Sequence, residues 1–316
     1  MKMQAREFGV LAANVVLLVI LAFCTHGYFT RGNLLDLFLS AMPVMMIAVG
    51  MTLVILTGHI DISVGSVFAL CSVVMGMCAA SGIATILSAV AACIAGALCG
   101  AFNGVLVARL RIPSIVVTLA TMVAIRDGLR WKTQGAWVQG LPARFQWFGM
   151  SSTSYNILCF FVVTLFVVLS AFTLRYLRVG RAVFATGSNE DAARIAGIDT
   201  SRIVLGVFAL TGLLTGLAAA LNATRFRQIP SNSGIGLELK VIAAVAVGGA
   251  VITGGSASIA GTVLGVVLLN GIGSALTYLG ISAYWEKAIQ GGIILIAVAV
   301  DAIKMQRKQG DDAVTA

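Results

Sequence analysis

The sequence predicts an all-α, polytopic membrane protein with about ten transmembrane helices and both termini in the cytoplasm. Three observations carry that prediction. Of 316 residues, 59% are hydrophobic and only 10% charged, where soluble domains carry roughly a quarter charged residues. The apolar residues gather in runs of about 20, the length that crosses a hydrocarbon core. Those runs do not alternate apolar with polar residues, which excludes barrel strands. The same shortage of charge argues against a soluble enzyme, a disordered chain or a nucleic-acid binder. The net charge of +9 comes from Lys and Arg placed in loops between apolar runs, as bilayer proteins place them.

The runs are taken in order. Residues 9–25 follow Lys2 and Arg6 but precede no small-residue cleavage site, so they read as an anchor and not a signal peptide. Spans follow at 37–57, 63–80, 83–108, 114–130, 155–174, 203–222, 237–252, 257–279 and 286–303. One membrane domain covers 1–316, with no linker. An inside N-terminus and an even number of spans put a modest majority of the 21 Lys and Arg inside. Arg175, Arg178, Arg181, Arg194 and Arg202 share the loop 175–202, which reads as cytoplasmic. Loops 131–153 and 223–236 then face outside.

Glycine supplies 35 residues, well above the usual ~7%. Gly96, Gly100 and Gly104, Gly212 and Gly216, and Gly261 and Gly265 recur every four positions, the spacing that lets membrane helices approach closely. That contact could be internal or between subunits. A short internal repeat links TGHIDISVGSV at 57–67 with TGGSASIAGTV at 253–263, and duplicated halves are common in transporters.

Several chemistries lack their residues. Two His and six Cys without a CxxC pair offer little for a metal centre, and none is expected. No Gly-Lys dipeptide exists, so no phosphate-binding loop of that type can form. No catalytic residue is expected either. The polar groups well inside the spans are neutral: Asn14, Thr52, Asn103, Thr118, Thr121, Thr211 and Asn270. The acids Asp61, Asp127 and Glu238 fall near span ends. Such a path suits a neutral polar solute such as a sugar better than an ion.

Two segments stand out. In GHIDISVGS, 58–66, Asp61 is placed to cap the start of the third span, with Ser63 and Gly65 beside it. Asp61, Ser63, Gly65, Asn103, Thr118 and Asn270 are the pathway or gate candidates. In GRAVFATGSNEDAARIAGIDTSR, 180–202, a short helix is marked at both ends. Ser188 and Asp191 have capping-box spacing, Glu190 and Asp191 suit the first turn, and Gly197 suits the position just past the end. Such a helix between two spans fits a partner's groove. Trp137, Arg225 and Arg227, in the outer loops with Trp131 and Arg144, are the candidates for docking an external partner.

GHIDISVGS resembles the signature of bacterial monosaccharide importer permeases powered by ATP-binding cassettes, the ribose-permease family. FNGVLVARLRIPSIVVTLATM at 102–122, GSNEDAARIAGI at 187–198, GLELKVIAAVAVGGAVITGGSASIAGTVLG at 236–265 and GGIILIAVAVD at 291–301 match it in order. His59 departs from the glycine usual there. Segments 135–143 and 229–240 look most like the rhamnose and autoinducer-2 branches. The resemblance implies a permease subunit in the inner membrane, paired with a second, identical or sister permease. It implies a cytoplasmic ATPase carrying ATP and magnesium, and a periplasmic binding protein that delivers the solute. No cofactor belongs to this chain. The segment Gly187 to Gly197 would dock on the ATPase, with Glu190, Ala192, Ala193 and Gly197 as the matching positions. A self-sufficient ion-coupled carrier is the competing reading.

Overall fold

The computed structural model describes residues 5–25, 27–282, 284–296 and 299. Lys2, His26, Lys304, Arg307 and Lys308 lie outside the described residues, as does the end of the span read at 286–303. The described chain is helical, with one isolated antiparallel bridge between Val138 and Ile229. The helices are α1 (Ala5–Cys24), α2 (Arg31–Leu56), α3 (Val64–Ala80), α4 (Thr85–Ala108), α5 (Ser114–Thr133) and α6 (Ser152–Tyr176). They continue as α7 (Arg178–Ser188), α8 (Glu190–Ile195), α9 (Thr200–Ala223), α10 (Leu237–Val247) and α11 (Ile259–Tyr278). Residues 284–296 are also helical.

Six of these helices, α1, α2, α4, α6, α9 and α11, are long and apolar enough to cross a membrane. The expected ten are therefore met in part. Helix α3 is apolar but only 17 residues long. Helix α5 has 20 residues and ends in a charged turn with Arg130 and Lys132. The span expected at 237–252 is not one helix: α10 stops at Val247 after 11 residues, a rise of about 16 Å against a core of ~30 Å. The stop has a local cause. Gly249 takes φ +92°, its N–H donates to the Ala246 carbonyl, and the Ala250 N–H donates to that of Val245. This paired closure is the common glycine-ended helix terminus.

Helix α2 is the axis of the bundle. It is buried continuously from Met42 to Leu56 and is hydrophobic all round, as a fully enclosed helix must be. Its neighbours include α9, α10, α11 and α6. Helix α1 lies against α11, where the buried Asn14 amide donates to the Leu264 carbonyl at 3.1 Å. Phe160, Phe161, Leu165, Val168 and Phe172 of α6 are exposed, the apolar face that a bilayer would cover.

The glycine series pair inside the chain. The most extensive helix contact is between α4 and α9, along the line of Gly96, Gly100 and Gly104 against Gly212 and Gly216. A β-carbon on Gly216 would stand 2.6 Å from the Ala92 carbonyl oxygen, and one on Gly100 would lie 3.1 Å from the Gly212 Cα. Gly261 and Gly265 face Gly248 and Ala244 of α10 in the same way. The close approach depends on missing side chains, which is how small residues bring membrane helices together.

Candidate functional site

At one end of the bundle the signature loop 57–63 seeds a buried polar chain. Asp61 was expected to cap α3, but it binds no helical N–H there. Its Oδ1 accepts from the Ser63 N–H at 2.9 Å and from the Ser63 hydroxyl at 2.6 Å, a turn closed just ahead of the helix. Asn103 of α4 then donates to the Ser63 hydroxyl at 2.9 Å, and Thr121 of α5 donates to the Asn103 carbonyl oxygen at 2.7 Å. Ser114 accepts from the Ile60 N–H at 3.2 Å, and Thr118 bonds the Ser114 carbonyl at 2.8 Å. Asp61, Ser63 and Asn103 thus come together in one chain that ends on Thr121 and joins three elements, while Thr118 bonds Ser114 beside it, next to Ile60. In a dry interior such groups are retained only when paired. Burial pushes the Asp61 carboxyl above its ordinary range, against the two bonds from Ser63.

Gly65 and Asn270 lie elsewhere. Gly65 leaves room for the Glu238 carboxylate, whose Oε1 pairs with Arg126 of α5 at 3.2 Å while its Oε2 is buried without a partner. The Asn270 amide donates to the Leu37 carbonyl at 3.0 Å and the Ser40 hydroxyl at 3.1 Å. Its Oδ1 accepts from Lys240 at 3.3 Å, and Lys240 also pairs with Glu286 at 2.9 Å. The interior is therefore not lined by neutral groups alone. Lys240 escaped sequence reading because it is a single charge inside an apolar run, and Glu286 because it opens the last span.

The loop 175–202 holds two helices instead of one. Leu177 in an extended conformation separates α6 from α7. Ser188 is not the cap that its spacing suggested: it ends α7, and its hydroxyl donates to the Phe184 carbonyl at 2.8 Å. Asn189 caps α8 instead, with Oδ1 accepting from the Ala192 N–H at 2.9 Å; Asn competes well with Ser at this position. Gly197 closes the helix as expected, at φ +82°, with its N–H on the Arg194 carbonyl and that of Ile198 on the Ala193 carbonyl. Glu190 bonds Arg194 and accepts from Thr200 at 3.1 Å, which fixes α8 to the start of α9. Asp191 and Ala192 are exposed and Ala193 is buried. Ile195 is 90% exposed, a large apolar side chain that reading for charges and caps passes over.

Gly187 is the point where this unit meets the bundle. A β-carbon there would stand 2.8 Å from the Gly255 nitrogen and strike the Leu56 carbonyl. The Gly255 N–H itself donates to the Leu56 carbonyl at 3.0 Å. The two repeat segments, 57–67 and 253–263, abut each other at Gly58, where a β-carbon would lie 3.3 Å from the Thr253 carbonyl oxygen; the Thr52 hydroxyl of α2 also meets that of Thr262 at 2.7 Å, and the end of α7 sits against Leu56 and Gly255. His59 in the first segment lies beside Glu190 in a cavity of about 480 Å³. Burial lowers its pKa, with the Glu190 charge opposing. Among the described residues, no group of His, Cys, Asp or Glu is placed to hold a metal.

A family model described as "Branched-chain amino acid transport system / permease component" matches residues 33–298. The chain belongs to this permease family. The autoinducer 2 import system permease protein LsrC of Escherichia coli is 38% identical over 301 residues, covering 93% of this chain and 86% of that protein. The protein of the same name from Yersinia pseudotuberculosis is 37% identical over 296 residues, covering 93% and 84%. No solved structure matches the chain. The permease is thus a multi-pass membrane transport component and not an enzyme.

At the opposite end of the permease the loops 131–153 and 223–236 are tied together. The Val138 and Ile229 backbones exchange bonds of 2.9 and 3.1 Å, and the Trp147 N–H donates to the Thr224 carbonyl at 2.8 Å. Trp137, just before the bridge, is exposed, and so is Arg227. Arg225 has a different post. Pro43 lies inside α2, so the Leu39 carbonyl one turn earlier lacks its helical donor. The Arg225 guanidinium supplies one at 2.9 Å. Arg225→Ala is expected to cost about 1–3 kcal/mol by orphaning that carbonyl, seen as a lower melting temperature in detergent, whereas Arg227→Ala should melt like the parent. Equal melting of the two variants would contradict the assignment.

Proposed function

We propose that this chain is one permease subunit of an ATP-driven importer in the bacterial inner membrane, carrying autoinducer-2 or a similarly small, neutral, sugar-like solute. The observation that carries this reading is α8: a helix capped at both ends and offering Ile195 outward, joined to the end of α7 that sits against Leu56 and Gly255. A rigid helix with one exposed apolar anchor suits a groove on a partner, here a cytoplasmic ATPase that holds the ATP and magnesium. Glu190, Asp191 and Ala192 flank that anchor, and Gly187 and Ser188 hold its root. The start of α1 supports a cytoplasmic N-terminus, since Glu7 lines a cavity together with Phe184 of α7 and Ser258. A second permease, identical or a sister chain, completes the path, lipid surrounds the apolar faces, and the C-terminus is cytoplasmic. A periplasmic binding protein docks over Trp137 and Arg227. The import role printed in the names of the Escherichia and Yersinia relatives supports the same reading.

The test is reconstitution in liposomes with a cognate ATPase and a cognate binding protein. ATP-dependent accumulation of labelled autoinducer-2 or sugar is expected, and only when all parts are present. Accumulation by this chain alone, driven by an ion gradient, would overturn it in favour of a self-sufficient carrier. That alternative draws its support from the ion pairs Arg126–Glu238 and Lys240–Glu286.

A further inference from the structure

The inference rests on the importer reading above. Lined by α2, α3, α9, α10 and the stretch 284–290 is an open cavity of about 520 Å³, within the ~300–1,000 Å³ usual for small-molecule sites. Its wall includes Ser40, Asn222, Lys240, Glu286, Lys287 and Gln290. By contrast, the 280 Å³ cavity between α1, α2 and α11 is lined mainly by Leu, Met and other apolar side chains.

Lys240 is half-buried between Leu239 and Val241 on α10. Its ammonium donates to Glu286 Oε1 at 2.9 Å and to Asn270 Oδ1 at 3.3 Å. Gln290 donates to the same Glu286 oxygen at 3.1 Å, and the Asn270 amide reaches the Ser40 hydroxyl at 3.1 Å. The set ties together α2, α10, α11 and the last helical stretch. A charge pair removed from water costs more than it returns unless further bonds compensate it, and anchoring helices does not require that the pair open on a cavity. What the pair presents there is a cationic donor and an anionic acceptor one hydrogen bond apart. Two neighbouring hydroxyls match that pattern, one accepting from the ammonium and the other donating to the carboxylate. Pro43 also lines this cavity, so the interrupted turn of α2 lies at its wall, the place where transporters tolerate broken helices.

We propose that this cavity is a binding station for the solute on its way through the permease, and that Lys240 and Glu286 grip a vicinal diol of a neutral polyhydroxylated cargo. In the reconstituted importer, initial uptake of labelled ribose, rhamnose and autoinducer-2 is compared with that of their mono-deoxy analogues. The chains compared are the parent, Lys240→Arg, Lys240→Met, Glu286→Gln, and the double variant Lys240→Met with Glu286→Leu, which keeps an apolar contact in place of the pair. The single charge-removing variants and the double variant are expected to lose about ten- to a hundredfold of the diol-bearing solute's uptake and to take up solute and analogue at nearly equal rates. Lys240→Arg should keep part of the discrimination. A pair that only braces helices would lower both rates together and leave their ratio at the parent's value, which overturns the proposal. Parental uptake and ratio in the double variant overturn it as well while leaving the importer reading intact. Failure of the parent complex to take up any of the three with ATP overturns the importer reading, and this station with it.

Discussion

Gly187→Ala should uncouple the permease from its ATPase. The added carbon has no space, because the Leu56 carbonyl and the Gly255 nitrogen already occupy the position, the latter 2.8 Å away. Neither neighbour is the movable end of a side chain. Leu56 closes the central helix and Gly255 belongs to the second repeat segment, and the two are bonded to each other at 3.0 Å. The strain, about 1–3 kcal/mol for overpacking, is relieved only by lifting the end of α7 and, with it, α8. A displacement of that energy corresponds to about a ten- to hundredfold loss of ATP-driven uptake. The checking measurements are solute uptake in the full complex and co-purification of the ATPase with the variant. Parental uptake would refute the junction's role.

Gly100→Val is expected to have a still larger effect, on assembly of the fold itself. In the α4–α9 seam the Gly100 position faces the Phe208 backbone carbonyl and the Gly212 Cα, the latter 3.1 Å from an added β-carbon. A branched side chain forces the helices apart along their whole contact, and the dispersion contacts that hold them are lost together. Gly206 on α9 supplies the control, since a β-carbon there meets nothing within 4 Å. The outcome is read as yield of folded protein and melting temperature in detergent. Gly100→Val should fall sharply in both and Gly206→Val should stay close to the parent. Equal behaviour of the two would show that the seam is not what holds α4 to α9.

The helical class and most span positions were legible because a run of about 20 apolar residues has few alternatives in lipid. Where the reading failed, the deciding interaction was either very local or very distant. The residues of α10 read as a longer span because hydropathy passes smoothly over Gly248 and Gly249, although the backbone turns there. Ser188 and Asn189 are adjacent and both able to cap, and spacing alone favoured the wrong one. The bond from Arg225 to the Leu39 carbonyl joins residues 186 apart in sequence, so its role in bracing α2 could not be read from a basic residue in an outer loop. The glycine spacing was visible, but which series faced which was not. Of the six pathway candidates, Asp61, Ser63 and Asn103 share one chain of bonds, Thr118 lies beside it, and Gly65 and Asn270 lie elsewhere; Lys240 and Glu286 were hidden by their apolar context.

The seam between α4 and α9 has a mechanical corollary. Along its glycines it sets backbone against backbone, with few side chains between to slide or change rotamer, so the two helices are expected to move as one unit. Helix α8 is clamped to one end of that unit, since Thr200 at the start of α9 bonds both Arg194 and Glu190. If a partner pushes on α8, the motion is expected to reach α4 and α9 together. The bending must be taken up in softer places, at the interrupted turn of α2 and at the glycine-ended stop of α10.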